Sequence, residues 1–135
     1  LLLSDAIYFY NKVHAEEDIS GTDTPPWSMI AIADFHGAET FSFNPNTETN
    51  PSYIEYKSVL TYVHETYGGE VVLLPGDSNS GRWYKKDYIE RHFTGQDPHD
   101  VVYKASLNCY TTLKQLFNDA GYEHIHMAIG DHELG

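Results

Sequence analysis

Basic residues and cysteine are scarce in this sequence of 135 residues. Lys and Arg number 8 against 20 Asp and Glu, which gives a formal net charge of -12. Such a surface repels phosphate backbones and anionic lipid head groups unless cations reverse the charge locally, so nucleic acid is not a favoured partner. Cys109 is the single cysteine, which excludes an internal disulfide and a cysteine-rich zinc site.

Long apolar runs are missing as well. Leu1 to Leu3 are followed at once by Ser4 and Asp5, and no later run approaches the length that crosses a bilayer. We therefore expect no membrane span. The sequence also lacks a glycine-rich phosphate loop, which argues against an α/β domain that binds nucleotides.

The segment 1–26 has two interpretations. Val13-His14-Ala15 has the small-residue spacing of a signal-peptidase site, which favours the remnant of an export signal and a secreted or periplasmic protein. The other interpretation is an amphipathic helix with Ile7, Tyr8, Tyr10 and His14 on its packing face. Residues 16–26 are acidic and then rich in Gly, Thr and Pro, as is typical of a linker. The folded domain is therefore predicted over residues 27–135.

Short apolar runs alternate with helical patterns in that domain. Residues 29–33 and 71–74 are continuous apolar runs, typical of strands buried on both faces, and residues 124–129 predict a third strand. Residues 37–51 are predicted to be a polar loop. This order of strands and helices is that of a parallel sheet with right-handed crossovers, so the predicted fold class is α/β.

Three helices are predicted between these strands. Asn50-Pro51 is a favourable start for the first helix, and Gly68 ends it. Residues 84–93 predict a second, short helix. An apolar stripe between residues 102 and 120 predicts the third, long helix.

Each predicted strand ends in a polar cluster. The clusters are Asp34-Phe35-His36-Gly37, Gly76-Asp77-Ser78-Asn79 and Gly130-Asp131-His132-Glu133. The carboxyl ends of parallel strands form the ligand crevice of an open sheet, so the clusters are expected to converge. Asp34 and His36 are two residues apart and leave an extended strand on the same face, where both can bind one ion. The alternative for this pair is an N-cap and a polar loop residue.

Taken in order, these blocks resemble a known family of enzymes. Asp34-x-His36, Gly76-Asp77 and Gly130-Asp131-His132-Glu133 are similar to the first three signature blocks of the calcineurin-like metallophosphoesterases. The resemblance covers residues 29–135 and implies the N-terminal part of a four-layer αββα sandwich. It further implies a domain that is incomplete at its C-terminus, because the family takes additional metal-binding histidines from later segments.

The resemblance also implies a role for each matching residue. Asp34 and His36 would bind a first metal ion, Asp77 would bridge both ions, and Asp131 would bind the second. His132 would protonate the leaving oxygen or stabilise phosphoryl charge, and Glu133 would orient its ring. The implied reaction is hydrolysis of a phosphate mono- or diester of a small substrate by a metal-bound hydroxide, with Mn, Fe or Zn as the two ions.

Some residues depart from this pattern or allow another interpretation. Position 131 is usually asparagine in the family, and the added charge of Asp131 should tighten metal binding while making the ions less electrophilic. A non-catalytic binding or interaction module therefore remains the alternative function. Arg82 suits a phosphate near the crevice, although surface packing explains it as well. His124 and His126 begin the third strand, away from the crevice, and are expected to pack structurally.

Overall fold

The computed structural model describes residues 7–8, 29–33, 35–79 and 95–134, with the side chains of 7, 8, 133 and 134 excepted. Four strands form one sheet: β1 (Ile7–Tyr8), β2 (Met29–Ile32), β3 (Val71–Leu74) and β4 (His124–Met127). The helices are α1 (Glu39–Phe43), α2 (Pro51–Tyr67), α3 (Pro98–Asp119) and α4 (Asp131–Leu134), and a 3-10 turn covers His36–Ala38.

The sheet is parallel where the alternating pattern predicts it. Its order is β1-β2-β3-β4, with β2, β3 and β4 mutually parallel and β1 antiparallel to β2. The α/β class with a parallel sheet and flanking helices is therefore confirmed. The sequence did not predict β1; at Ile7 and Tyr8 we expected a helix or an export signal, and these two residues are extended. The linker at 16–26 and the helix at 84–93 lie outside the described residues.

Two parts of the predicted pattern are wrong in detail. The polar loop expected at 37–51 contains α1, because Phe41 is fully buried against the ring of Tyr53. The third strand stops at Met127 instead of continuing to Ile129. At α1 a contact with a distant residue, which a local pattern does not contain, decides the backbone conformation.

One face of the sheet carries the core. Side chains from Ile30, Ile32, Val72 and Leu74 are buried there against α2 and α3. The stripe predicted on α3 supplies most of the other side of this core: Ala105, Cys109, Leu113, Leu116, Phe117 and the following Ala120 are buried. The connections from β2 to β3 and from β3 to β4 run in the same direction across the sheet. The right-handed rule for such parallel connections expects α2 and α3 on the same face, in agreement with this one-sided core.

The other face of the sheet is less covered. Strand pairing aligns its members in two rows, Met29, Val71 and His124, then Ala31, Leu73 and His126. The members from β2 and β3 are half-buried, and His124 and His126 are exposed. The prediction that these two histidines pack structurally is therefore wrong, because β4 is the last strand of the described sheet. In the described ranges no helix combines the length and apolarity needed to cross a bilayer.

The start of α2 is held by Asn50, as the sequence predicts. Its Oδ1 accepts hydrogen bonds from the backbone N–H groups of Ser52 (3.0 Å) and Tyr53 (3.3 Å), and its Nδ2 donates to the carbonyl of Asn44 (2.6 Å). The side chain is only 2% exposed. Asn50 therefore fixes both the helix start and the loop before it.

Replacing this cap should cost measurable stability. We expect Asn50→Ala to lower the free energy of unfolding by about 2 kcal/mol, the upper end for a helix cap, because the Asn44 carbonyl in the preceding loop also loses its donor. Urea denaturation measures this loss. The matched control is Asp97→Ala, which removes the exposed cap of α3. An equal or larger loss in the control would contradict the structural role given to Asn50.

Candidate metal centre

Three loops meet at the end of the sheet where β2, β3 and β4 have their carboxyl ends. His36 opens the turn after β2, Asp77 follows β3, and Asp131 and His132 begin α4 after β4. Ligand-type atoms of Asp77, Asp131 and His132 all lie within 4.8 Å of one another. The ring centroids of His36 and His132 are 4.9 Å apart, edge to face. The structure thus brings together four of the residues that the sequence predicted for the site.

The remaining predicted site residues cannot be placed in the same way. Asp34 and Arg82 lie outside the described residues, and the side chain of Glu133 does too. Their roles as metal ligand, phosphate contact and orienting carboxylate stay predictions.

A close approach of two loop backbones positions Asp77. Gly76 has a φ of 124°, and Asp77 itself has a φ of 54°, in the left-handed region that few residues other than glycine adopt. A Cβ at Gly76 would lie 2.9 Å from the Cα of Gly130, and a Cβ at Gly130 would collide with the Asp77 carboxylate. The loops after β3 and β4 therefore pack without an intervening side chain, which directs Asp77 towards α4.

A hydrogen bond joins these two loops at the site. The backbone N–H of His132 donates to Oδ1 of Asp77 at 3.1 Å. A carboxylate that accepts from a backbone N–H is held in one orientation. Asp77 thus has a fixed position relative to the first turn of α4, which carries Asp131 and His132.

The ring of His36 is oriented by a carbonyl from the neighbouring loop. Its Nδ1 lies 3.1 Å from the backbone oxygen of Asn79. Because a carbonyl only accepts, Nδ1 carries the proton in this contact, and Nε2 of the neutral ring keeps its lone pair. Histidines that bind a metal through one ring nitrogen commonly donate the proton of the other nitrogen to a carbonyl or carboxylate in this way.

The chemistry of these donors fits a first-row metal ion. Carboxylate oxygen and imidazole nitrogen together suit Mn, Fe or Zn. Donors on opposite sides of such an ion, at about 2.2 Å each, are about 4.4 Å apart, so a cluster within 4.8 Å needs little adjustment to hold one ion. Two carboxylates this close in a chain of net charge -12 repel each other, and a bound cation offsets that repulsion.

Sequence reasoning missed the part of the site that is built from backbone. The carbonyl of Asn79, the N–H of His132 and the close approach of Gly130 all shape it. Gly76 and Gly130 are compatible with a close approach of two backbones, but their places in the sequence do not show which loops approach each other. Backbone donors and acceptors have no residue signature, so no motif could have indicated the first two.

Comparison with known proteins leaves the family undecided. No protein-family model, curated protein or solved structure gives a significant match to the chain. The likeness to the calcineurin-like metallophosphoesterases therefore depends on the three signature blocks and on the convergence of the described residues within them.

Proposed function

We propose that this chain forms the metal-binding part of a hydrolase that cleaves phosphate mono- or diesters with the help of two metal ions. One observation carries the proposal. Three separate loops meet at the carboxyl ends of the parallel strands and bring together His36, Asp77, Asp131 and His132. Carboxylate and imidazole donors in such a position are suited to metal-assisted hydrolysis.

Each of these residues has a role in the proposal. Asp77, Asp131 and Nε2 of His36 hold the ions, with Asp34 as a further ligand. Mn, Fe or Zn ions, when bound, lower the pKa of a coordinated water and neutralise the charge that builds on the phosphoryl oxygens. Asp77 would hold both ions, because it follows β3, the strand between β2 and β4.

His132 is the proposed catalytic histidine. Its backbone N–H is hydrogen-bonded to Asp77, its ring lies edge-on to that of His36, and one of its ring nitrogens lies within 4.8 Å of carboxylate oxygens of Asp77 and Asp131. From there it can donate a proton to the leaving oxygen or stabilise charge on the phosphoryl group. Glu133 is proposed to orient this ring, and Arg82 to contact the phosphate. The substrate is a small phosphorylated molecule, since the acidic surface disfavours nucleic acid.

The fold suits a larger assembly of layers. We propose that the described sheet is one of the two in a four-layer αββα sandwich. The face with Met29, Ala31, Val71 and Leu73 remains only half-buried, although parallel sheets are commonly covered on both faces. A groove of about 770 Å³ also lies between α3 and β4, with the apolar side chains of Tyr103, Leu107 and Met127 among those lining it. Among the described residues, both surfaces leave side-chain area exposed for further packing.

A binding module without catalysis is the second candidate function. Asp131 motivates it, because one more carboxylate ligand would tighten metal binding and lower the electrophilicity of the ions. Carboxylate oxygens of Asp131 and Asp77 lie within 4.8 Å of each other, so both charges would act on one bound ion. Such a protein would bind metal and a phosphorylated partner without turnover.

Metal titration and a hydrolysis assay on the same sample separate these functions. The full chain is titrated with Mn²⁺ and Zn²⁺ by calorimetry, and then assayed with 4-nitrophenyl phosphate and bis(4-nitrophenyl) phosphate. We expect metal binding and turnover that is lost when EDTA removes the ions. Metal binding without turnover of either ester would favour the binding module. Absence of metal binding would contradict both functions.

A further inference from the structure

One segment of α3 contacts the turn that carries His36. The Sγ of Cys109 donates to the carbonyl of Ala38 at 3.3 Å, at the end of that turn. The neighbouring Asn108 donates from Nδ2 to the carbonyl of Ser42 at 3.2 Å, in α1. Both bonds connect α3 to the chain that follows β2, so the position of this helix affects the position of His36.

The next residue of α3 contacts the loop that supplies the carbonyl partner of His36. The Tyr110 hydroxyl accepts a hydrogen bond from Nδ2 of Asn79 at 3.4 Å. Asn79 is fully buried, and Ser78 before it is 1% exposed. A buried amide is held strongly by its hydrogen-bond partners, because an unsatisfied amide in the interior is costly. Tyr110 therefore helps to fix residue 79, including its backbone carbonyl.

We propose that Tyr110 is a positioning residue for His36 and acts through Asn79. The contacts form a continuous chain: Tyr110 hydroxyl to Asn79 side chain, and Asn79 carbonyl to His36 Nδ1. Holding the proton on Nδ1 directs Nε2 into the metal site. The role of Nε2 as a metal ligand rests on the proposed function, whereas the orientation of the ring does not.

The orientation is tested first in the chain without metal. Long-range ¹⁵N–¹H NMR spectra of the imidazoles distinguish a ring protonated on Nδ1 from one protonated on Nε2. We expect His36 of the wild type to carry its proton on Nδ1, and Tyr110→Phe to give a mixture of both forms. The matched control is Tyr103→Phe on the same helix, because the Tyr103 side chain is exposed. It should leave the His36 spectrum unchanged.

The consequence for the ligand is tested by metal affinity. Loss of a hydrogen-bond partner of a metal ligand lowers metal affinity by roughly 10- to 100-fold. Tyr110 contacts that partner and not His36 itself, so Tyr110→Phe should weaken Mn²⁺ binding by about tenfold, the lower end of this range. Calorimetric titration measures this. In a His36→Gln background the same change should have no effect, because the ring that Tyr110 orients is gone.

The outcomes separate this inference from the proposed function. If His36 in a folded Tyr110→Phe chain carries its proton on the same ring nitrogen as in the wild type, the positioning role is overturned. It is also overturned if Tyr110→Phe weakens Mn²⁺ binding equally with and without His36. If the wild type binds no Mn²⁺ but Tyr110→Phe still alters the His36 spectrum, the positioning role stands and the proposed function fails. Thermal unfolding of each variant confirms that the chain compared is folded.

Discussion

Asp77→Asn should abolish metal-dependent phosphoester hydrolysis, with kcat/KM reduced by roughly a thousandfold or more, or about 4 kcal/mol of transition-state stabilisation. The amide keeps the shape of the side chain but not its charge, so it binds a metal ion poorly. The hydrogen bond from the His132 N–H can persist to the amide oxygen. The fold should therefore survive, and the loss reports on the ligand. Initial rates with 4-nitrophenyl phosphate over a range of Mn²⁺ concentrations measure the effect.

The matched control for this variant is Asp100→Asn. It removes the same charge from an exposed position in the first turn of α3, far along the chain from the three loops. Its activity should equal that of the wild type within experimental error. If Asp77→Asn retained turnover at saturating Mn²⁺, the carboxylate would not be a ligand in catalysis, and the proposed division of roles would be wrong.

Gly130→Ala should have the second largest effect. The added Cβ would meet both the carboxylate and the backbone nitrogen of Asp77, so the loops after β3 and β4 must separate. Displacing a ligand in this way should weaken Mn²⁺ binding by roughly 10- to 100-fold, as for other changes that misorient metal ligands. We also expect lower stability, because two tightly packed backbones move apart. Calorimetry and urea denaturation measure the two effects.

Gly95→Ala is the control that separates local strain from damage to the site. Gly95 has a φ of 79°, but a Cβ there would meet no atom within 4 Å. Alanine should therefore destabilise the chain by about 1–2 kcal/mol through backbone strain and leave the Mn²⁺ affinity unchanged. A Gly130→Ala chain that binds Mn²⁺ as tightly as Gly95→Ala would show that the close approach does not position Asp77.

The elements that the sequence predicted are those with local signals. Helix α2 begins after Asn50 and ends before Gly68, where the cap and the glycine predict its limits. Strands β2 and β3 follow from their apolar runs. The missed elements depend on distant contacts: β1 exists as a strand through pairing with β2, and α1 through burial of Phe41.

The candidate site, like the fold, was predicted only where the sequence carries a signal for it. Parallel strands bring their carboxyl ends together, so the meeting of His36, Asp77 and His132 follows from the α/β pattern. The orientation of each side chain does not, because it is set by the Asn79 carbonyl, by backbone N–H donors and by a left-handed residue. For His124 the prediction was wrong since strand composition does not show which strand lies at the edge of the described sheet.

A crystal structure of the full chain grown with Mn²⁺ tests the central claim most directly. Anomalous scattering at the Mn absorption edge locates the ions without reference to any expected site. We predict density between the loops after β2, β3 and β4, within coordination distance of the Asp77 carboxylate and Nε2 of His36. Anomalous density only elsewhere on the surface, with none between these three loops, would contradict the account.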